Sequence, residues 1–241
     1  MKRRDFFLAS AGSCLIPLIG RAAAPCPPPQ VTVNGANPVN TPCGPAAANS
    51  YTTNFSGTET PISEGGRWSN VGLDWTPVKM TPGLACGTNG AKDTYDDSYA
   101  HLSGFGADQT AEATIAIASG IPSSESHEVE LLLRWADSAH NARGYECLLN
   151  FLGGMQIMRW DGAFGAFTGI GAGQVSAPLK SGDVFKATIT GNVIRVYYNG
   201  ALMCSATDST YSSGNPGIAF FKRVSGSNSA FGFSKFTATS S

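Results

Sequence analysis

The chain has 241 residues, 14% of them charged, with 29 glycines and a formal net charge of -1. That balance carries no basic footprint for nucleic acid. No apolar run reaches the roughly 18 residues that a membrane-spanning helix needs, so no membrane association is expected once the amino-terminal segment is removed. The length suits one large β domain.

Met1-Lys-Arg-Arg-Asp-Phe-Phe-Leu8 sets positive charge ahead of an apolar stretch ending near Ile19, and Arg21-Ala-Ala-Ala24 offers small residues for cleavage. This is the three-part layout of a signal peptide over residues 1–24. Arg3-Arg4-Asp5-Phe6-Phe7 resembles the twin-arginine export motif, which implies a periplasmic or extracellular protein. Residues 25–49, with Pro-Pro-Pro, Asn-Pro, Thr-Pro and Gly-Pro steps, read as a linker or extended arm. Beyond Cys14 the cysteines are Cys26, Cys43, Cys86, Cys147 and Cys204, an odd set that leaves at least one thiol unpaired and the pairing open.

Folded structure is expected over 50–241. Tyr51-Thr-Thr-Asn-Phe-Ser-Gly57 is followed by Thr60-Pro-Ile-Ser63 and Gly65-Gly-Arg-Trp-Ser69. With these segments the chain resembles the concanavalin A-like lectin and glucanase superfamily, which includes laminin G-like jelly rolls. The resemblance runs roughly from Tyr51 to Thr237 and implies a carbohydrate-binding or carbohydrate-cleaving domain. Asp93, Asp96 and Asp97 crowd one stretch; they read as a polar turn or as carboxylate oxygens for calcium, and no other cofactor motif is present.

Thr110 to Ala118 alternates as a strand, with Ala111, Ala113, Ile115 and Ile117 on one face. In Glu128 to Trp135 the odd positions Val129, Leu131, Leu133 and Trp135 are apolar, and in Gly144 to Phe151 so are Tyr145, Cys147, Leu149 and Phe151. Paired antiparallel about His140, these strands set Trp135 opposite Tyr145, Leu131 opposite Leu149 and Arg134 opposite Glu146. Parity is strongly specified here, whereas a two-residue slip is not. Their outer face then carries Glu128, Glu130, Arg134, Glu146 and Asn150, and it is expected to meet solvent.

Met155 to Trp160 adds a strand before a Gly-rich loop from Asp161 to Gly173. Val184 to Thr190, Val193 to Tyr198 and Leu202 to Ala206 follow as strands joined at Gly191-Asn192 and Asn199-Gly200, strong hairpin signals. Gly217 to Val224 and Ala230 to Thr237 close the sheets. The expected fold is all-β, a two-sheet antiparallel jelly-roll sandwich of concanavalin A-like type.

Three functions fit. An exported glycan-binding protein would use Arg134, Glu146 and Asn150, or Trp160 and Asp161 beside the Gly-rich loop, an indole platform with polar neighbours. A glycosidase would use Glu128 and Glu130, which one strand face sets about 6 to 7 Å apart; a lyase would cast Tyr145, His101, His140 and Arg134 as base and carboxylate neutraliser. A structural or adhesive domain needs no small ligand. For each residue a plain reading stands beside the functional one: a solvated sheet face, an Arg134–Glu146 cross-strand ion pair, a Trp160 that caps the core.

Overall fold

The computed structural model describes residues 49–90, 97–118, 127–176, 178–222 and 226–241. The expected signal peptide, nearly all of the linker, Cys14, Cys26, Cys43, Asp93 and Asp96 lie outside the described residues. The strands are β1 Asn49–Thr53, β2 Thr76–Pro77, β3 Lys79–Thr81, β4 Leu84–Cys86, β5 Ser98–His101, β6 Gln109–Ile117, β7 Glu128–Ser138 and β8 Asn141–Asn150. They continue with β9 Gly154–Gly162, β10 Phe167–Gln174, β11 Val184–Thr190, β12 Val193–Tyr198, β13 Ala201–Thr207, β14 Asn215–Phe221 and β15 Phe231–Ser240. Among the described residues no helix is long and apolar enough to cross a membrane.

Two sheets pack face to face. The eight-stranded sheet runs β13-β12-β11-β6-β15-β4-β3, with β1 also on β15, and the seven-stranded sheet runs β10-β9-β8-β7-β14-β5-β2. Period-two patterning determines what lies between them: Val129, Leu131 and Leu133 of β7 and Tyr145, Cys147 and Leu149 of β8 meet Phe185, Ile189, Ile194 and Val196 of the opposite sheet in one buried cluster. Each such Leu, Ile or Phe withdrawn from water contributes roughly 1.5–3 kcal/mol. Cys86, Cys147 and Cys204 are buried free thiols.

The stretch expected as a Gly-rich loop is largely strand: β10 pairs with β9 along most of its length, with a bulge between Gly169 and Gly171. Its glycines sit where neighbours press close. A Cβ on Gly171 would lie 3.0 Å from Ile157 Cδ1, and one on Gly173 would lie 3.0 Å from the Met203 carbonyl oxygen. Glycine here marks close approach, to the neighbouring strand at Gly171 and to the opposite sheet at Gly173.

Candidate functional site

The site begins with a bulge. Leu133 pairs with Tyr145 but Ala136 pairs with Arg143, so β7 carries one extra residue across Arg134 and Trp135. Arg134 takes a left-handed backbone, φ 48°. Two glycines make room for it: a Cβ on Gly144 would come within 2.7 Å of the Arg134 carbonyl oxygen, and one on Gly214 within 2.2 Å of its carbonyl carbon and oxygen.

The bulge reverses the parity of the residues beyond it. Trp135, expected on the core face with Val129, Leu131 and Leu133, instead joins Leu132 on the outer face of the seven-stranded sheet. Ahead of the bulge the register differs by two residues from that centred on His140, with Leu131 opposite Cys147 and Glu128 opposite Asn150. The hydrophobic pattern is kept by such a slip, as parity alone allows.

The outer face expected to meet solvent is buried. Glu128 is 4% exposed and Glu130 0%, and a second apolar cluster of Trp75, Tyr99, Leu132, Trp135, Ala142, Trp160 and Ala219 covers the sheet. The rings meet edge to face: Trp75 to Trp160 at 5.6 Å, Trp75 to Tyr99 at 5.7 Å and Tyr99 to Trp135 at 5.4 Å between centroids. Trp75, just ahead of edge strand β2, closes the top, and Phe164 lies against it at 5.6 Å.

Beneath the indoles, Asp97, Glu130 and Glu146 bring carboxylate oxygens within 4.8 Å of one another. All three are buried. Glu146 accepts a hydrogen bond from Trp160 Nε1 at 2.6 Å, which fixes both side chains. The three acids and the surrounding rings line a closed crevice with no room for a water molecule. Its chemistry, several oxygen acceptors among aromatic faces, suits hydroxyl groups or a hard cation.

The segment over this site is tied down at several points. Ser69 exchanges two backbone hydrogen bonds with His101, both 2.9 Å, and Asn70 Nδ2 donates to the Thr76 and Tyr99 carbonyls. Asp137 accepts from Val71 N at 3.0 Å and from Tyr99 Oη at 2.7 Å, and its Oδ1 lies 3.0 Å from His101 Nε2. Burial alone would raise the Asp137 carboxyl, but the hydrogen bonds from His101, Tyr99 and Val71 outweigh it and hold it at about 2. Asp74 pairs with His140 at 2.9 Å. In this segment Val71 and Leu73 are exposed apolar side chains, at 51% and 69%, and Phe164, against Trp75, is 36% exposed.

The other expected site residues have different neighbours. Arg134 does not pair with Glu146: its guanidinium turns to the end of the sandwich and donates to the carbonyls of Ala107, Tyr211 and Gly191 at 2.7–2.8 Å, with Asp108 at 3.6 Å. Asn150 Oδ1 accepts from Leu152 N and Gly154 N, both 3.0 Å, and so builds the β8–β9 turn. Trp160 is fully buried, not an exposed platform. Asp161 is exposed and held by Arg159 at 2.7 Å and Tyr211 Oη at 3.1 Å.

Nor are the residues of the lyase reading brought together. His101 faces Asp137, Tyr145 Oη donates to Asp208 at 2.7 Å in the core, and His140 lies at the surface with Asp74. Of the calcium set only Asp97 is described, and it faces Glu130 and Glu146. Sequence reading missed Trp75, Tyr99 and Trp135 as neighbours of Glu130 and Glu146. Leu73-Asp74-Trp75, an apolar pair flanking a carboxylate ahead of a short strand, was the one available signal for the cover.

No family model and no curated protein matches this chain. Solved structures do. The carbohydrate recognition domain of Emp46p, in its potassium-bound form, aligns with TM-score 0.52 at 12% identity over 78% of this chain and 98% of that one. The GH43 protein BlXynB of Bacillus licheniformis aligns with TM-score 0.50 at 16% identity over 79% of this chain and 39% of that one. The carbohydrate binding module CBM66 from Bacillus subtilis aligns with TM-score 0.49 at 19% identity over 72% and 92%. At such identities the likeness is one of fold alone, a two-sheet jelly-roll sandwich.

Proposed function

We propose that this chain is an exported carbohydrate-binding β-sandwich whose ligand engages the outer face of the seven-stranded sheet. The observation that carries the reading is the meeting of Asp97, Glu130 and Glu146 within 4.8 Å under Trp75, Trp135 and Trp160. Carboxylate oxygens accept from sugar hydroxyls, and indole faces pack against the C–H faces of a pyranose ring. The likeness to the Emp46p carbohydrate recognition domain supports this reading through the fold. In this reading Trp75 and Phe164 swing aside to admit the sugar, and the exposed Val71 and Leu73 guide its approach.

A second reading, glycan cleavage, is favoured by one distance. Glu130 and Glu146, on neighbouring strands with oxygens within 4.8 Å, approach the roughly 5–5.5 Å separation of a retaining pair. That pairing replaces Glu128 with Glu146. Twin-arginine export through Arg3 and Arg4 is part of the proposal, and calcium is a candidate companion of the three acids.

The test is a glycan array on the mature protein, with and without calcium, followed by tryptophan fluorescence titration of each hit. Binding that shifts the indole emission and weakens at least tenfold in Glu146→Gln and Trp75→Ala is expected. Absence of binding to every glycan sinks the reading. Release of reducing ends that stops in Glu130→Gln and Glu146→Gln moves it to the enzyme. Cell fractionation of Arg3→Lys/Arg4→Lys tests export.

A further inference from the structure

The outer face of the eight-stranded sheet is open. Across β13, β12, β11, β6, β15 and β1 the registers align Leu202, Tyr197, Lys186, Glu112, Thr237 and Thr52 in one row perpendicular to the strands. Their alternation partners Phe185, Ala187, Val196, Ala111, Ala113, Phe236 and Ala238 are buried, so this row is the solvent side of a well-fixed sheet. Neighbouring strands lie about 4.8 Å apart, so the row presents one side chain per step of about a pyranose ring and spans on the order of 24 Å.

The row holds an aromatic ring, an aliphatic edge, hydroxyls and charge. Tyr197 adjoins Leu202, which is 49% exposed. Lys186 Nζ lies 6.0 Å from the centre of the Tyr197 ring and 3.6 Å from Glu112 Oε2. Thr52 and Thr237 hydroxyls are 3.3 Å apart. A groove of about 600 Å³ runs here, lined by Glu112, Lys186, Thr188, Tyr197 and Asn199 among others. Asn199 is rigid: its amide donates to Asp183 and accepts from Val184 N.

Charge decides the kind of occupant. Arg195 lies one row to one side of Tyr197, and Lys235, paired with Thr114, one row to the other side of Thr237. Neither makes an ion pair among the described residues, whereas Glu112 is already matched by Lys186. The chain's net charge of -1 therefore conceals a face with two uncompensated cations stepping across the strands.

We infer that this face is a second, separate glycan surface that takes an extended acidic polysaccharide, its carboxylate or sulfate groups on Arg195, Lys186 and Lys235 and a sugar ring against Tyr197 and Leu202. The inference goes beyond the proposed function, since it uses the opposite sheet and none of the indoles. Exposed charge makes the contact salt-sensitive.

Affinity electrophoresis in native gels carrying polygalacturonate, dextran sulfate or neutral dextran tests it. Retardation by at least one of the acidic polymers is expected, with polygalacturonate and dextran sulfate distinguishing carboxylate from sulfate. It should fall at least tenfold in apparent affinity in Lys186→Glu/Arg195→Glu and in Tyr197→Ala, and weaken at high salt. Trp75→Ala and Glu146→Gln should be retarded like wild type, which separates this surface from the carboxylate–indole site. Equal circular dichroism and melting for the variants establishes that they are folded. No retardation by either acidic polymer overturns the inference. So does equal retardation by neutral dextran, or retardation that survives the Lys186/Arg195 and Tyr197 changes.

Discussion

The Arg134 guanidinium donates to the Tyr211 carbonyl oxygen at 2.8 Å, joining the β7 bulge to the loop between β13 and β14. With Ala107 and Gly191 as its other carbonyl acceptors and Asp108 beside it, one side chain gathers three loops at one end of the sandwich. The residue expected to face a ligand or Glu146 is a structural bolt.

Arg134→Ala should therefore destabilise the domain by about 3 kcal/mol, because it removes the charge-assisted hydrogen bonds of a buried guanidinium and leaves three part-buried carbonyls unmatched. Arg134→Lys retains the charge but loses the fork, and it should fall between the two. Urea unfolding followed by circular dichroism reads both.

A glycine packed against the bulge can be compared with one in an open turn ahead of β11. Gly214, φ 134°, has Arg134 backbone 2.2 Å from the site of a Cβ, whereas Gly182, φ 93°, has nothing within 4 Å. Gly182→Ala should cost only the left-handed strain of about 1 kcal/mol, and Gly214→Ala should cost well over about 2 kcal/mol because the bulge must move. Equal midpoints in the same urea titration would contradict the close approach.

Acid should loosen the cover of the carboxylate–indole site. Asp137 is held at about 2 in the folded chain, below the ordinary value of about 3.9. A depressed folded value means stability that is complete above about pH 4 and lost as pH falls toward 2, about 2 kcal/mol for this group. Asp208, also held at about 2, adds to the same loss. Asp137→Asn should flatten part of the decline in melting temperature between pH 4 and pH 2. An unchanged slope would show that Asp137 does not hold the Ser69 to Trp75 segment.

Thiol chemistry offers another check. Burial pushes the Cys147 thiol well up and that of Cys204 to about 11, and Cys86 is raised by burial as well. All three should resist alkylation at pH 8 in the native state and react promptly in denaturant. Mass mapping of the labelled peptides resolves them; rapid native labelling of Cys147 would be incompatible with its place between the sheets.

Much of the sandwich was legible because alternation reports burial directly: Val184–Thr190 and Val193–Tyr198 are strands with the bounds expected, and Asn199-Gly200 turns between β12 and β13. The inner faces of β7 and β8 were legible for the same reason. What alternation does not encode is a one-residue insertion, since the bulge at Arg134 leaves an uninterrupted pattern of apolar odd positions through Trp135.

The sequence alone determined the all-β class, the hairpins and the inner core, because side chains that must leave water at every second position allow few other arrangements. Only the tertiary structure decided the character of the charged face. Packing of Gly144 and Gly214 against Arg134 turns Trp135 outward, and Trp75, far away in sequence, then closes over Glu130 and Glu146. Those contacts depend on distances between strands that no local pattern records, so a face read as solvated became a buried nest of acids and indoles, and the open surface lay on the opposite sheet.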